Sequence, residues 1–338
     1  MPRRNIQKIF LIVFVFAQIG WLKADANELY FIDAHSQVDH KVVPINKVIS
    51  LMDSAGVRHT ILSTRGNLKG KTLLKLSKET SGRVTPAVRT KGKPYDTGSK
   101  KYYELLKKQI ETKQFHAIAE VLLYHAKKSN KAPEVIVYPD DKRVQAALNY
   151  AIENSWPFVV HIEFASLQGE KRKKFMRAFK QMLDQHPKQP FILTHMGQLS
   201  RNRCLMLIKK HNNLYFHTGW TNPVAVESSN QPWTNIFEGY HFSPEWKDLF
   251  IQYPQRFIFA LDNVFTEHWS DFYQKQMDYW KRGLEELPKE VSHLIAHGNA
   301  ERLQQNGRYQ APKILPVCDY YRNSQNLAFM GPSGVRLT

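Results

Sequence analysis

A chain of 338 residues with a formal net charge of +18 and two cysteines is too large for a disulfide-stapled mini-domain. It is long enough for one α/β barrel of roughly 250 residues with insertions. The charge favours anionic surroundings such as envelope lipid, anionic glycans or acidic substrates. Nucleic acid is disfavoured, because Lys and Arg are spread along the chain and no nucleic-acid motif is present. Runs such as residues 171–174 read as a solvated helix face.

Residues 1–26 resemble a targeting segment: Arg3, Arg4 and Lys8 precede an apolar run over residues 9–22, and Ala24 and Ala26 supply small residues before a cut. The apolar run is short of the ~20 residues a membrane span needs. Cleavage near Ala26 implies a periplasmic or secreted protein, in which Cys204 and Cys318 could pair. The alternative is an uncleaved anchor and an envelope-attached basic scaffold.

The first strand is expected within YFIDAHSQVDH, residues 30–40, where alternation puts Asp33, His35 and Gln37 on one face at a strand end. Residues 44–55 space Ile45, Val48, Ile49 and Met52 as an amphipathic helix that Gly56 stops. A second strand is expected at 59–63, helix around 73–77 and a third strand at 84–88. Residues 91–101 are a Gly/Lys/Pro loop before a helix over 102–112. The fourth strand, 115–124, carries Glu120 in an apolar run, and Asp140 or Asp141 can cap the next helix.

The fifth strand, 157–164, holds His161, and a helix over 170–185 has Phe175, Ala178, Phe179 and Met182 as its stripe. The sixth strand, 190–196, holds His195, and the seventh spans 214–219. Residues 220–241, rich in Asn, Ser, Pro and Trp, form a candidate lid. The eighth strand, 257–262, ends on Asp262. Helix follows over 267–287 and again from Asn299, and residues 305–338 are an irregular extension.

Eight strands alternating with helices predict a (β/α)8 barrel over residues 27–304, with chemistry at the C-terminal strand ends. His35, Gln37, Glu120, His161, His195 and Asp262 all fall there. An open doubly wound sheet is the runner-up, but it calls for a glycine-rich turn after the first strand, and residues 33–49 contain no glycine. Each residue taken alone has a plainer role, as a hydrogen-bonded strand-end histidine, a buried partner for Lys or Arg, or a helix cap. Together they are a donor set suited to Zn²⁺ and its neighbours.

FIDAHSQ, LMDSAGV, IAEVLLY, PFVVHIE, FILTHMGQ, FALDN and HGNAERL, in this order over about residues 29–304, resemble the amidohydrolase superfamily, in its amidohydrolase-related, metal-dependent TIM-barrel branch. The resemblance implies metal ligands at His35, Gln37, Glu120, His161 and Asp262, catalytic roles for Asp262 and His195, and supporting roles for Asp33 and Asn299. It also implies one divalent ion, Zn²⁺ ahead of Mn²⁺, and a small-molecule substrate; the net positive charge hints at an anionic one, and a homo-oligomer stays open. Asp262 would move the proton of an attacking water, and His195 would polarise the carbonyl, worth roughly 3 kcal/mol if it acts like one oxyanion donor. The reaction would be hydrolysis of an amide, ester or lactone, or non-oxidative decarboxylation. One departure stands out: the family's His-x-His on the first strand is His35-Ser36-Gln37 here. An amide oxygen is a weaker zinc ligand than imidazole, so a metal-free binding protein on the same barrel is the competing reading.

Overall fold

The structure is a computed structural model, and residues 29–39, 45, 47–128 and 132–305 are described. Residues 1–26, on which the targeting expectation rests, His40, Cys318 and the residues beyond Gln305 lie outside the described residues.

Eight apolar segments form the barrel staves: β1 (Phe31–Val38), β2 (Val57–Thr64), β3 (Val84–Val88), β4 in two pieces (Ala117–Ile118 and Val121–His125), β5 (Phe158–Ile162), β6 (Phe191–Leu193), β7 (Leu214–His217) and β8 (Phe257–Ile258). Neighbours pair in parallel, so each strand is buried on both faces and reads as a continuous Val, Ile, Leu and Phe run rather than an alternating one. The ring closes between β1 and the chain after β8. There Ala34 N donates to Phe259 O at 3.1 Å, Asp262 N to His35 O at 2.8 Å and Gln37 N to Asn263 O at 2.7 Å.

The principal helices are α1 (Lys47–Ala55), α2 (Gly70–Glu79), α3 (Lys100–Glu111), α4 (Lys142–Glu153), α5 (Gly169–Gln185), α6 (Arg201–Lys210), α7 (Pro244–Gln252), α8 (Asp271–Glu285) and α9 (Asn299–Gln305). Their apolar stripes face the strands; in α5 these are Phe175, Phe179, Met182 and Leu183. Asp141 caps α4 by accepting from Arg143 N. Inside the barrel, Ile32, Ala34, Val159, Ile192, Tyr215, Ile258 and Ala260 pack together, and Ala300 and Leu303 of α9 join them from the N-terminal end. No described helix is long and apolar enough to cross a membrane.

Several expectations are corrected. The loop at 91–101 contains a short helix, Lys93–Asp96, with Pro94 in its first turn, where proline is tolerated. The single fourth strand is broken at Ala119 and Glu120. The sixth strand stops at Leu193 and gives way to a tight turn over Thr194–Gln198. The lid segment holds a short helix, Pro223–Glu227, and a hairpin of Phe237–Glu238 with His241–Phe242.

Candidate active site at the barrel mouth

Glu120 sits at the break in β4, where the chain leaves the ladder and turns its side chain inward. Its Oε1 lies 3.5 Å from His35 Nε2 and accepts from Gln37 Nε2 at 3.1 Å. Its Oε2 lies 2.8 Å from His161 Nδ1. Asp262, at φ +49, turns its carboxylate into the same space. Oδ1 is 3.4 Å from His35 Nε2 and 3.3 Å from Gln37 Nε2, and Oδ2 is 3.3 Å from His195 Nε2. The six expected mouth residues therefore meet, and none is more than 3% exposed.

Local backbone features place these side chains. His195, Met196, Gly197 and Gln198 all have positive φ, which swings the His195 ring off the strand line and into the mouth. Gly219 is needed for close approach, since a Cβ there would stand 2.9 Å from Asp262 Cβ and 3.0 Å from His217 Cε1. Its carbonyl accepts the His195 Nδ1 proton at 3.0 Å. A carbonyl only accepts, so neutral His195 keeps its lone pair on Nε2, toward Asp262. That tautomer suits a ligand better than a donor to a substrate carbonyl.

The two expected supporting residues divide, Asp33 lying behind His35 and Asn299 away from the mouth. The register of β1 slips between Asp33 and Ser36, which breaks the simple alternation. Asp33 accepts from Leu261 N at 2.9 Å, from Ser36 Oγ and from His35 N at 3.3 Å, so it braces β1 behind His35 and ties it to the chain after β8. Asn299 is at the opposite end of the barrel, where Nδ2 donates to Pro254 O and Phe257 O, both at 2.8 Å. Gln37 directs its amide nitrogen, not its oxygen, at the two carboxylates; as a metal ligand its amide has to turn over.

Burial alone would raise Glu120, but the charges of Lys91 and His161 and the hydrogen bond with His161 outweigh it and hold the carboxyl well below its usual range. Burial, reinforced by the negative charge of Glu120, pushes Asp262 up to about 6. The two acids are thus pushed in opposite directions, Glu120 toward its ionised form and Asp262 toward its neutral one. Burial and the neighbouring His161 and His217 hold His195 well below the ordinary imidazole value. Burial opposes charge on His161, yet Glu120 and Glu163 overcome it and raise its value.

The expectations missed Lys91, Glu163 and His217. Lys91 pairs with Glu120 Oε1 from the loop after β3. Glu163 accepts from His161 Nε2 at 3.0 Å, and its two-residue spacing from His161 on β5 was a readable signal. His217 ends β7 and stacks on His35 with ring centroids 5.5 Å apart. The mouth opens into a cavity of about 720 Å³. On its wall, Trp233 packs 5.1 Å from the His195 ring, Trp220 lies 5.4 Å from Trp233, and Trp220 Nε1 donates to Asp262 O at 3.1 Å.

Two donor groups share Glu120: His35, Glu120 and Asp262, and Glu120, His161 and His195, each with ligand atoms within 4.8 Å of one another. His35 Nε2 is buried and makes no hydrogen bond, although two carboxylate oxygens face it. Ligands at about 2.0–2.1 Å on a tetrahedral zinc stand roughly 3.3–3.5 Å apart, and the separations of 3.4 and 3.5 Å match. The residues fit a divalent cation.

A parallel barrel with buried acids and imidazoles converging at its C-terminal mouth defines a hydrolase of the metal-dependent TIM-barrel class. The amidohydrolase family model matches residues 104–303, and the chain belongs to the amidohydrolase family. That match runs from α3 to α9 and leaves out β1 with its His35-x-Gln37. A TIM-barrel protein of Bordetella bronchiseptica is similar at 12% identity and a TM-score of 0.54, over 82% of this chain and 99% of that one. A dihydroorotase of Campylobacter jejuni is similar at 12% identity and a TM-score of 0.52, over 82% and 83%. A candidate 2-pyrone-4,6-dicarboxylic acid hydrolase of Pseudomonas putida is similar at 11% and 0.50, over 82% and 98%. At these identities the structures speak for the fold. No curated protein matches.

Proposed function

We propose that the chain hydrolyses a small amide, ester or lactone with one divalent ion, Zn²⁺ ahead of Mn²⁺, held at the barrel mouth. The observation that carries this reading is a convergence of donors: Glu120 Oε1 and Asp262 Oδ1 stand 3.5 and 3.4 Å from His35 Nε2, a buried imidazole nitrogen with no hydrogen bond. His35, Glu120 and Asp262 would hold the ion, with His161 and His195 on the far side of Glu120. A bound divalent ion supplies a Lewis acid for a carbonyl and lowers the pKa of a coordinated water.

The residues of the chain do the rest. Asp262 accepts the proton of the attacking water and returns it to the leaving group. Glu163 holds the Nε2 proton of His161 and so fixes which ring nitrogen is available to a ligand. His161 must give up its Nδ1 proton to serve, so ion binding releases protons. Trp220 and Trp233 wall the site against water and offer a flat apolar surface to the substrate. We also place the protein in the periplasm or outside the cell, on the pattern of residues 1–26; N-terminal sequencing of exported protein tests this.

The function is tested with a panel of esters, lactones and N-acyl compounds. Hydrolysis is expected to vanish on chelation, return with Zn²⁺, and fall by about 10²–10⁴-fold in Asp262→Asn although that variant still folds. Hydrolysis that survives both chelation and Asp262→Asn overturns the reading.

A further inference from the structure

The outer helices carry their positive charge unevenly. On α2 and α3, lysines are answered by acids one turn on: Lys75 by Glu79 at 3.6 Å, Lys100 by Glu104 at 3.6 Å and Lys107 by Glu111 at 3.7 Å. α6 carries Arg201, Arg203, Lys209 and Lys210 and no acid. Its neighbour α5 is partly answered. Lys173 pairs with Glu170 at 2.7 Å, Lys171 with Glu134 at 3.2 Å, and Lys174 Nζ lies 4.4 Å from the centre of the Tyr138 ring. That leaves Arg172, Arg177, Lys180, Arg203, Lys209 and Lys210, none of which pairs with a carboxylate among the described residues. Arg172 and Arg203 stand in the first turns of their helices, where the helix dipole disfavours a cation, so helix stability does not account for them.

These cations share one side of the barrel. Phe175, Phe179, Met182 and Leu183 of α5 and Cys204, Leu207 and Ile208 of α6 are buried, which turns the cationic faces outward. The two helices lie side by side. Burial and then the charge of Arg203 lower Arg172, whose Nε is buried without a hydrogen bond. At the other ends, His211 after α6 meets Asp184 of α5 at 3.1 Å. Between the charges stands Met206, 68% exposed and the most exposed large apolar side chain among the described residues. None of these residues lines the mouth cavity. We propose that the outward face of α5 and α6 docks on an anionic lipid surface, its Arg and Lys among the headgroup phosphates and Met206 at the edge of the acyl layer. Guanidinium groups bind phosphate through paired hydrogen bonds. An apolar side chain ringed by cations matches a bilayer, whose anionic headgroups overlie hydrocarbon, whereas a nucleic acid offers no apolar layer beneath its phosphates. The barrel then rests on its side with the mouth clear, whatever chemistry the mouth performs.

The probe is co-sedimentation of the full chain with vesicles of phosphatidylcholine, alone or with one quarter phosphatidylglycerol. Residues 1–26 are common to every variant, so binding that they cause is not removed by the substitutions. Wild type is expected to bind the anionic vesicles at least about tenfold tighter than the neutral ones, and less tightly as salt rises. Arg177→Glu with Arg203→Glu, both exposed, is expected to remove most of that preference, a loss of at least about tenfold. The same change of charge on α3, Lys101→Glu with Lys108→Glu, is expected to cost less than about a third as much on a logarithmic scale. Met206→Gln should weaken binding to anionic vesicles and leave binding to a short DNA duplex unchanged. Unaltered thermal unfolding of each variant shows that the fold is kept. Equal losses from the α3 and the α5–α6 pairs overturn the proposal, since net charge alone then governs binding. So does a preference that survives Arg177→Glu with Arg203→Glu. A duplex that binds through Arg177 and Arg203 while Met206→Gln leaves vesicle binding untouched also overturns it, in favour of a polyanion.

Discussion

The two ends of the barrel treat buried polar groups in opposite ways. At the N-terminal end, Asn299 donates to Pro254 O and Phe257 O, Arg302 to Gln255 O, and Arg256 to Asn212 O, so side chains there satisfy backbone. At the mouth, side chains face other side chains: Glu120 and Asp262 against His35, Gln37, His161 and His195. The backbone divides in the same way. Ser81, Lys113 and Ser155 take positive φ on exposed turns after helices, where αL residues commonly end a helix. His195, Met196, Gln198, Trp220 and Asp262 take it while buried at the mouth. Buried positive-φ backbone and facing ionisable side chains are thus gathered where a ligand can relieve them, and the other end carries stability.

Substitutions at the two ends should therefore separate activity from stability. The largest effect is expected from Asp262→Asn, with kcat/KM lower by about 10²–10⁴-fold. In the chelated protein at pH 7 it should not lower Tm, because an ionised acid whose folded pKa is raised opposes folding. Asn299→Ala should do the reverse. It leaves two buried carbonyls without a donor and costs about 2–4 kcal/mol in urea unfolding, with kcat unchanged per folded molecule.

Asp33, between the two ends, is a third case. Burial, opposed by its hydrogen bond from Ser36, raises its carboxyl from 3.8 to about 6. Its folded pKa exceeds its unfolded one, so its stabilising contribution is full below about pH 4 and is lost as pH rises through about 6. Asp33→Asn should remove that decline, on the order of 2–3 kcal/mol, from the pH dependence of urea stability. The smallest effect is expected from Glu163→Gln. Without a carboxylate on His161 Nε2, divalent-ion affinity measured by competition with a chelator should fall about 10–100-fold. An unchanged affinity would show that Glu163 serves only its ion pair with Lys128, at 2.7 Å.

Much of the barrel was legible because parallel strands buried on both faces leave unmistakable apolar runs, and β3 matches residues 84–88 directly. His35, His161, His195 and Asp262 were legible as polar residues near the ends of such runs, and Glu120 as a charge inside one. What escaped depended on backbone departures from regularity. Alternation put Asp33 with His35, and the register slip in β1 separated them. Lys91 lies in a Gly/Lys/Pro stretch with no periodicity, so nothing local showed that it reaches Glu120. Asn299 was assigned to the site through the motif it belongs to, whereas α9 packs Ala300 and Leu303 into the barrel from the end away from the mouth.

The central claim is that the mouth cluster holds a divalent ion despite Gln37. Elemental analysis of purified wild type beside His161→Ala and Gln37→His tests it most directly. The account predicts a stoichiometric Zn²⁺ or Mn²⁺ in wild type and its loss in His161→Ala. A wild type that stays empty when metal is offered, while Gln37→His fills, would contradict it.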